Sequence, residues 1–416
     1  MDNHHIALEA RYGANNYLPL PMVLERGSGV FLWDTNGNRY LDMMSAYSAV
    51  SFGHSHPELV ATLCQQANRL AVTSRAFHTD QLGELLESLC RMTGMARALP
   101  MNSGAEGVET AIKAARKWAN RVRGIADGSA RIIVAAGNFA GRTTTIISFS
   151  SEAQYRSGFG PCTPGFDTVP YGDAAALEAA IRPETAAFLV EPIQGEAGIV
   201  VPPAGYLRAV REICSRHNIL MIADEVQTGL GRTGKLLACD HEAVKPDALI
   251  LGKALGGGLL PISMFLARAD VMEVFQPGDH GSTFGGNPLA CAVASTALEI
   301  LERDQLAQRA EELGSYLLAR LGELRHPAIR AVRGRGLLIG LDLWPQWVSA
   351  RSFCEELMSR GVLSKETHQS VVRLAPPLTI TRAQVDQALG AIEAVLNTIT
   401  SPQPSPTPVR GDALPA

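Results

Sequence analysis

The seven cysteines of this 416-residue chain (Cys64, Cys90, Cys162, Cys214, Cys239, Cys291, Cys354) form no Cys-x-x-Cys pair and are odd in number. A disulfide framework and a thiolate metal site are thereby disfavoured, and reduced, mostly buried thiols are expected. Positive charge is not in surplus either. Lys+Arg number 37 against 41 Asp+Glu, a net charge of −4, which speaks against a surface built to grip nucleic acid. Long apolar runs are missing: stretches such as Ala186 to Val190 and Ile219 to Ala223 fall far short of the roughly 20 residues that cross a bilayer. No membrane partner is expected. Met1 to Ala10 is polar and lacks a basic stretch followed by an apolar one, so a cytoplasmic protein is expected. His4 and His5 have no ligand partners nearby and read as part of a solvated tail; no metal site is expected.

What is present is enough chain, 46% hydrophobic, to bury a large core in two or three structural units. Strand-like apolar runs (Arg131 to Ala136, Ala186 to Val190, Ile219 to Ala223, Ala248 to Leu251, Ile262 to Ala267) alternate with helical spacing over Ala105 to Arg121 and Gly205 to His217. That alternation predicts an α/β fold with a mostly parallel sheet covered by helices. After Asn287-Pro288 the rhythm changes to helices over Leu289 to Glu302 and Leu306 to Leu324. Strand-like Gly336 to Leu343, a helix near Ser352 to Arg360, strand-like Val371 to Ala375 and a helix from Arg382 to Leu396 follow. This end reads as a smaller α/β unit. Val30 to Trp33, the turn Asp34-Thr35-Asn36-Gly37 and Tyr40-Leu41 resemble a hairpin. The expected division is an N-terminal arm over 1–48, a large cofactor domain over 49–290, a small C-terminal domain over 291–400, and a disordered tail over 401–416, which holds five prolines. No internal repeat is found.

Chemistry enters with Lys253, which closes an apolar strand and precedes Gly256-Gly257-Gly258. Open α/β sheets bind ligands at the carboxyl ends of their strands, and burial there favours the neutral amine that attacks a carbonyl. A lysine after a strand is also commonly an exposed loop charge. Asp224, at the end of the preceding strand, changes the balance. Pyridoxal phosphate needs this combination: a lysine for its aldehyde carbon, and a carboxylate that keeps its pyridine nitrogen protonated. Glu225, one residue on, reads as a loop or capping acid. Met101-Asn102-Ser103-Gly104-Ala105-Glu106, just before a strong helix, offers a capping residue, a glycine and free first-turn amides to an anion. It has neither the Lys-Ser/Thr ending of a nucleotide loop nor Gly-x-Gly-x-x-Gly, so phosphate site and plain cap both stay open.

These segments do not stand alone. Tyr12-Gly13-Ala14-Asn15-Asn16-Tyr17, Pro100 to Gly104, Ala136-Gly137-Asn138-Phe139 with Gly141-Arg142-Thr143, and Glu191-Pro192-Ile193-Gln194-Gly195-Glu196-Ala197-Gly198 precede the Asp224 and Lys253 segments. Gly281-Ser282-Thr283-Phe284-Gly285-Gly286-Asn287-Pro288 and Arg373-Leu374-Ala375-Pro376-Pro377 follow them. In this order, from about Tyr12 to about Leu396, the sequence resembles the class III, fold-type I pyridoxal-phosphate aminotransferases, and within them the ornithine δ-aminotransferases. The resemblance implies a fold-type I architecture, pyridoxal 5′-phosphate as cofactor, and a homodimer with shared active sites. It implies Lys253 as the lysine that condenses with the cofactor and shuttles the proton, with Asp224 at the pyridine nitrogen. Gly104 and Ala105 would give amides to the phosphate, Phe139 would stack on the ring, and Gln227 would sit near the ring hydroxyl. Ser282 and Thr283 would reach the phosphate in the neighbouring subunit.

For substrates, the resemblance implies that Arg142 holds the carboxylate of ornithine and later the far carboxylate of 2-oxoglutarate. Arg373 would take the α-carboxylate of 2-oxoglutarate and be masked by Glu196 while ornithine is bound. A guanidinium suits such work because it grips a carboxylate in bidentate fashion. Tyr17 would contact the α-amino group of ornithine, and Tyr47 would line the pocket beside it. Departures from the family pattern are few: Gly256 where Ser is common, Leu260 where an aromatic can occur, and Ala105 where a branched residue is usual. The alternatives are another ω-aminotransferase for acetylornithine or 4-aminobutyrate, a decarboxylase or aminomutase on the same fold, and a non-catalytic scaffold that retains it.

Overall fold

The computed structural model describes residues 2–368 and 370–402; the tail expected over 401–416 lies outside the described residues from 403 on. The N-terminal stretch read as a solvated tail is an α-helix, Asp2–Tyr12, exposed where its side chains are described. Three strands follow, β1 (Leu24–Ser28), β2 (Phe31–Asp34) and β3 (Arg39–Asp42), paired antiparallel in turn. Asp34 shapes the β2–β3 turn by accepting hydrogen bonds at Oδ1 from Asn36 N at 2.9 Å and Asn38 N at 2.8 Å. Gly37 takes the left-handed conformation there, φ +83°.

The central sheet has seven strands: β4 (Arg97–Met101), β5 (Arg131–Ala135), β6 (Phe166–Val169), β7 (Thr185–Val190), β8 (Leu220–Asp224), β9 (Ala248–Leu251) and β10 (Ser263–Ala267), in the spatial order β4-β10-β9-β8-β7-β5-β6. Pairing is parallel from β9 across to β6, and β10 alone runs antiparallel to both its neighbours. Every residue of β7, β8, β9 and β10 is buried, which is why these strands read as unbroken apolar runs. The strand period of two then sorts them. Ile133, Phe188, Met221, Ala223, Leu249 and Leu251 join one core cluster, while Ile132, Ala187, Leu189, Ile222, Ala248 and Ile250 join another that includes Val108, Ile112 and Trp118 of the helix Gly104–Arg121. Edge strand β4 escaped the apolar pattern because it carries Arg97 and Pro100, residues an edge tolerates.

Beyond the helices Pro288–Arg303 and Leu306–Glu323 lies a four-stranded antiparallel sheet. Its strands are β11 (Ile329–Arg335), β12 (Leu338–Leu343), β14 (Lys365–Thr367) and β15 (Val371–Leu374), in the order β11-β12-β15-β14. The short β13 (Val362–Leu363) leaves this sheet and pairs parallel with β3. The helices Ala350–Ser359 and Arg382–Leu396 cover this part. No helix among the described residues is long and apolar enough to cross a membrane.

Candidate active site

Residues at the carboxyl ends of β4, β5, β7, β8 and β9 surround one cavity of about 480 Å³, where open α/β sheets place ligands. Asn102 to Ala105 come from the β4 end, Phe139 from β5, Glu191 from β7, Asp224 and Gln227 from β8, and Lys253 from β9. Asp224 is the last residue of its strand, 7% exposed, and its Oδ1 accepts from Val226 N at 3.1 Å. Burial pushes its carboxyl up to about 6, against the Val226 amide and the Lys253 charge. Lys253 opens a 3₁₀ turn with φ +44°, a left-handed conformation costly for a residue with a Cβ. Burial pushes its amine below the usual lysine range, with Arg373 adding to the effect and Glu196 and Asp224 opposing it. The amine is thus held toward its nucleophilic form.

Glu191 faces the same cavity. Its Oε1 accepts from Phe139 N at 2.9 Å and its Oε2 from Gly195 N at 3.3 Å. Burial, reinforced by Asp224, pushes this carboxyl up to about 8. Glu225 turns away from the cavity and is a capping acid, accepting from Thr228 Oγ1, Ala238 N at 3.0 Å and Cys239 N at 2.9 Å.

The β4 end is both a cap and a cradle. Ser103 caps the helix Gly104–Arg121 in a capping box with Glu106, and Ser103 O accepts from Gly107 N. Those bonds use the third and fourth amides of the first turn and leave those of Gly104 and Ala105 for an external anion. Nearby, a Cβ on Gly195 would stand 1.4 Å from Gln227 Oε1, so the absence of a side chain at 195 gives Gln227 its place at the cavity wall. A buried amine opposite a buried carboxylate, with an anion cradle at the edge and Phe139 on the wall, fits a phosphorylated pyridine aldehyde.

Two arginines differ in state. Arg373, on β15 and 1% exposed, is held in bidentate fashion by Glu196, with Nη1 to Oε1 at 2.8 Å and Nη2 to Oε2 at 2.9 Å. Burial opposes the charge on Glu196, yet Arg373 and Lys253 keep its carboxyl below the usual range. Arg142 is exposed and, among the described residues, has no carboxylate in ion-pair contact. Its Cζ lies 3.6 Å from the ring centroid of Tyr155 and 5.6 Å from that of Phe139. The Tyr47 ring centroid is 5.0 Å from Arg373 Cζ, and burial raises its phenol above the usual range. Tyr47 sits in a run of four non-glycine residues, Ser45 to Ser48, with φ of 44°, 47°, 58° and 74°.

Not every expected residue lies in the cavity wall: Tyr47, expected to line the pocket, does not, and Arg142 and Arg373 stand behind Phe139 and Glu196, which do. Tyr17 is 75% exposed, with its phenol in electrostatic reach of Tyr47. Ser282 accepts from Asn102 Nδ2 at 2.7 Å, Thr283 is exposed, and neither lines the cavity. Glu191, Tyr155 and Arg232 were given no role from the sequence. Glu191 follows an apolar strand as Asp224 ends one, so the same strand-end signal applied to it. No local signal marks the other two.

A class-III aminotransferase family model matches residues 12–396. An ornithine aminotransferase of Exiguobacterium sp. is 56% identical over 391 residues, covering 94% of this chain and 97% of that protein. Among solved structures, an ornithine aminotransferase from Toxoplasma gondii, with pyridoxal phosphate at partial occupancy in its active site, superposes with a TM-score of 0.95 at 46% identity over 96% of this chain and 95% of the other. An acetylornithine aminotransferase from Elizabethkingia anophelis superposes with a TM-score of 0.87 at 48% identity, over 95% and 99%.

Proposed function

The chain belongs to the class-III aminotransferases, and from that premise we propose that it transfers the δ-amino group of L-ornithine to 2-oxoglutarate. The products are glutamate and glutamate 5-semialdehyde, which cyclises to pyrroline-5-carboxylate. The cofactor is pyridoxal 5′-phosphate, which when bound supplies an aldehyde that condenses with amines and a ring that accepts the electron pair of the bond being broken.

Gly104 N and Ala105 N would hold the phosphate, Asp224 would keep a proton on the ring nitrogen, Phe139 would cover a ring face, and Gln227 would lie near the ring hydroxyl. Lys253, whose burial favours the neutral amine, would be the residue that condenses with the aldehyde with loss of water, and, once freed by the incoming donor amine, would carry the proton from the donor's reacting carbon.

The observation that carries the substrate reading is the unequal state of the two arginines. Among the described residues Arg142 pairs with no acid, while Arg373 is covered by Glu196. A donor with one carboxylate far from its reacting amine is served by Arg142 alone. Tyr17 and Tyr47 receive its α-amino end, keeping that end away from Lys253. The dicarboxylate acceptor needs a second clamp, and Arg373 supplies it once Glu196 lets go. The relatives named for ornithine support this reading; the likeness to an acetylornithine enzyme keeps that donor as the second one.

In the same reading the protein is a cytoplasmic homodimer in which the loop carrying Ser282 and Thr283 completes the neighbour's phosphate site. Residues 49–290 form the cofactor domain, and 291–400 form the small domain that brings in Arg373. The test is spectroscopic. Ornithine added to purified holoenzyme should bleach the long-wavelength absorption of the bound cofactor, and 2-oxoglutarate should restore it; Lys253→Ala should lose both responses. Bleaching by acetylornithine or 4-aminobutyrate but not by ornithine would overturn the donor.

A further inference from the structure

Arg232 is among the largest side chains fully enclosed by the protein, with 0% exposure, and among the described residues no carboxylate makes an ion pair with it. Its hydrogen bonds go to neutral acceptors instead. Nη1 donates to Pro376 O at 2.6 Å and to Leu337 O at 3.0 Å, and Nη2 donates to Ser51 Oγ at 3.0 Å and Ser45 Oγ at 3.4 Å. Nε has no partner. Enclosing a cation with no ion-paired carboxylate is costly, and the buried charge of Asp42 offsets only part of that cost.

The four bonds join the loop of Arg232 to three other segments: the β11–β12 turn at Leu337, the Tyr47 turn, and the stretch after Arg373. Arg232 lies five residues beyond Gln227 in the loop after β8. Ser45 opens, and Ser51 follows, the left-handed run that presents Tyr47, a backbone state disfavoured for every residue in it. Pro376 follows Arg373 by three residues. Other bonds run between the same two segments: Ala375 N donates to Met43 O at 2.7 Å, Ser45 Oγ to Ala375 O at 2.6 Å, and Leu378 N to Ser51 O at 2.8 Å. Asp42 Oδ1 holds the entry of the turn through Met44 N at 2.8 Å and Ser45 N at 2.9 Å. Among the described residues, Arg232 is the one side chain that bonds to the turn and to the Arg373 segment from a third element.

We propose that Arg232 is a positioning residue for the acceptor-binding end of the site, holding the Tyr47 turn and the Arg373 segment in one register so that Arg373 is presented correctly when Glu196 releases it. The inference rests on the reading that Arg373 clamps the 2-oxo acid. A planar guanidinium can reach carbonyls and hydroxyls on both sides at once, whereas an ammonium cannot.

The experiment compares the two half-reactions of the holoenzyme in Arg232→Lys by rapid-mixing absorbance. The KM for 2-oxoglutarate should rise about tenfold or more, while the ornithine-driven half-reaction changes by less than about threefold. Equal loss in both halves, or no change in either, overturns the proposal. If Arg232→Lys yields no soluble holoenzyme, the double variant Ser45→Ala/Ser51→Ala removes two acceptors and leaves the arginine in place. It should raise the acceptor KM about threefold and the ornithine KM by less, since Tyr47 rides on the same turn; an unaltered acceptor KM, or a larger rise for ornithine than for 2-oxoglutarate, overturns the proposal. Arg373→Lys separates the two readings. If it leaves the acceptor KM unchanged, the clamp assignment itself fails; if it raises that KM while the Arg232 variants do not, only the present inference fails.

Discussion

Replacing Asp224 with asparagine and following the melting temperature of the cofactor-free protein from pH 4 to pH 8 isolates the electrostatic strain stored at the site. In the folded protein burial moves this carboxyl from 3.8 to about 6, so the folded state holds its proton at pH values where the unfolded chain has released it. The sign follows: stability is fully present below about pH 4 and is lost as pH rises through about 6. At 1.36 kcal/mol per tenfold change in proton affinity, the loss is about 3 kcal/mol. Glu191, pushed up to about 8 partly by the Asp224 charge, extends the decline toward pH 8. Lys253, whose amine is lowered by burial, acts in the opposite sense and at the alkaline end. With an unfolding entropy of about 2.1 cal/mol/K per residue, 3 kcal/mol in a chain of this length is a shift of about 3 °C. The Asp224→Asn protein should therefore gain about 3 °C on the wild type between pH 4 and pH 7, measured by calorimetry on samples stripped of cofactor. Loading pyridoxal phosphate should invert the difference, because the carboxylate then has a cation to face. Parallel curves for the two cofactor-free proteins would refute the reasoning.

Glu196→Gln leaves Arg373 buried without its counter-charge, so 2-oxoglutarate should bind about tenfold more tightly and α-amino donors should compete with the δ-amine; an unchanged α to δ product ratio by chromatography would remove Glu196 from donor selection. Tyr155→Leu deletes the ring 3.6 Å from Arg142 Cζ, a contact worth about 0.5–1 kcal/mol at an exposed site, and should raise the ornithine KM about two- to fivefold while Tyr155→Phe does not. Equal effects of Leu and Phe would show that the ring face does not hold the guanidinium.

How much of this was legible beforehand depended on where the information sits in the chain. Strands β7 to β10 were readable because helices cover both faces of the sheet, so every position is apolar. Asp224 and Lys253 were readable because a polar residue at the end of such a run has the crevice in front of it, and Glu191 obeyed the same rule without being given a role. Edge strand β4 was hidden by Pro100 and Arg97. The unequal state of Arg142 and Arg373 has no local signature, since a guanidinium's partner is set by folding that brings Glu196 to one and Tyr155 to the other. Arg232 was the least legible, because its acceptors lie 105, 144, 181 and 187 residues away in sequence.

The stitching of residues 43–51 to 373–378 has a consequence for how the protein is made. Ser45 Oγ and its acceptor Ala375 O are 330 residues apart, and β3 receives β13 on its open side just as late. At roughly 5–20 residues per second, a ribosome needs about 17–66 s to span that gap. During that interval β1 to β3 wait with one strand edge unfilled, and the Tyr47 turn lacks the bonds that hold it left-handed. The nascent chain thus carries a half-built site and a bare strand edge until residues 362–378 emerge.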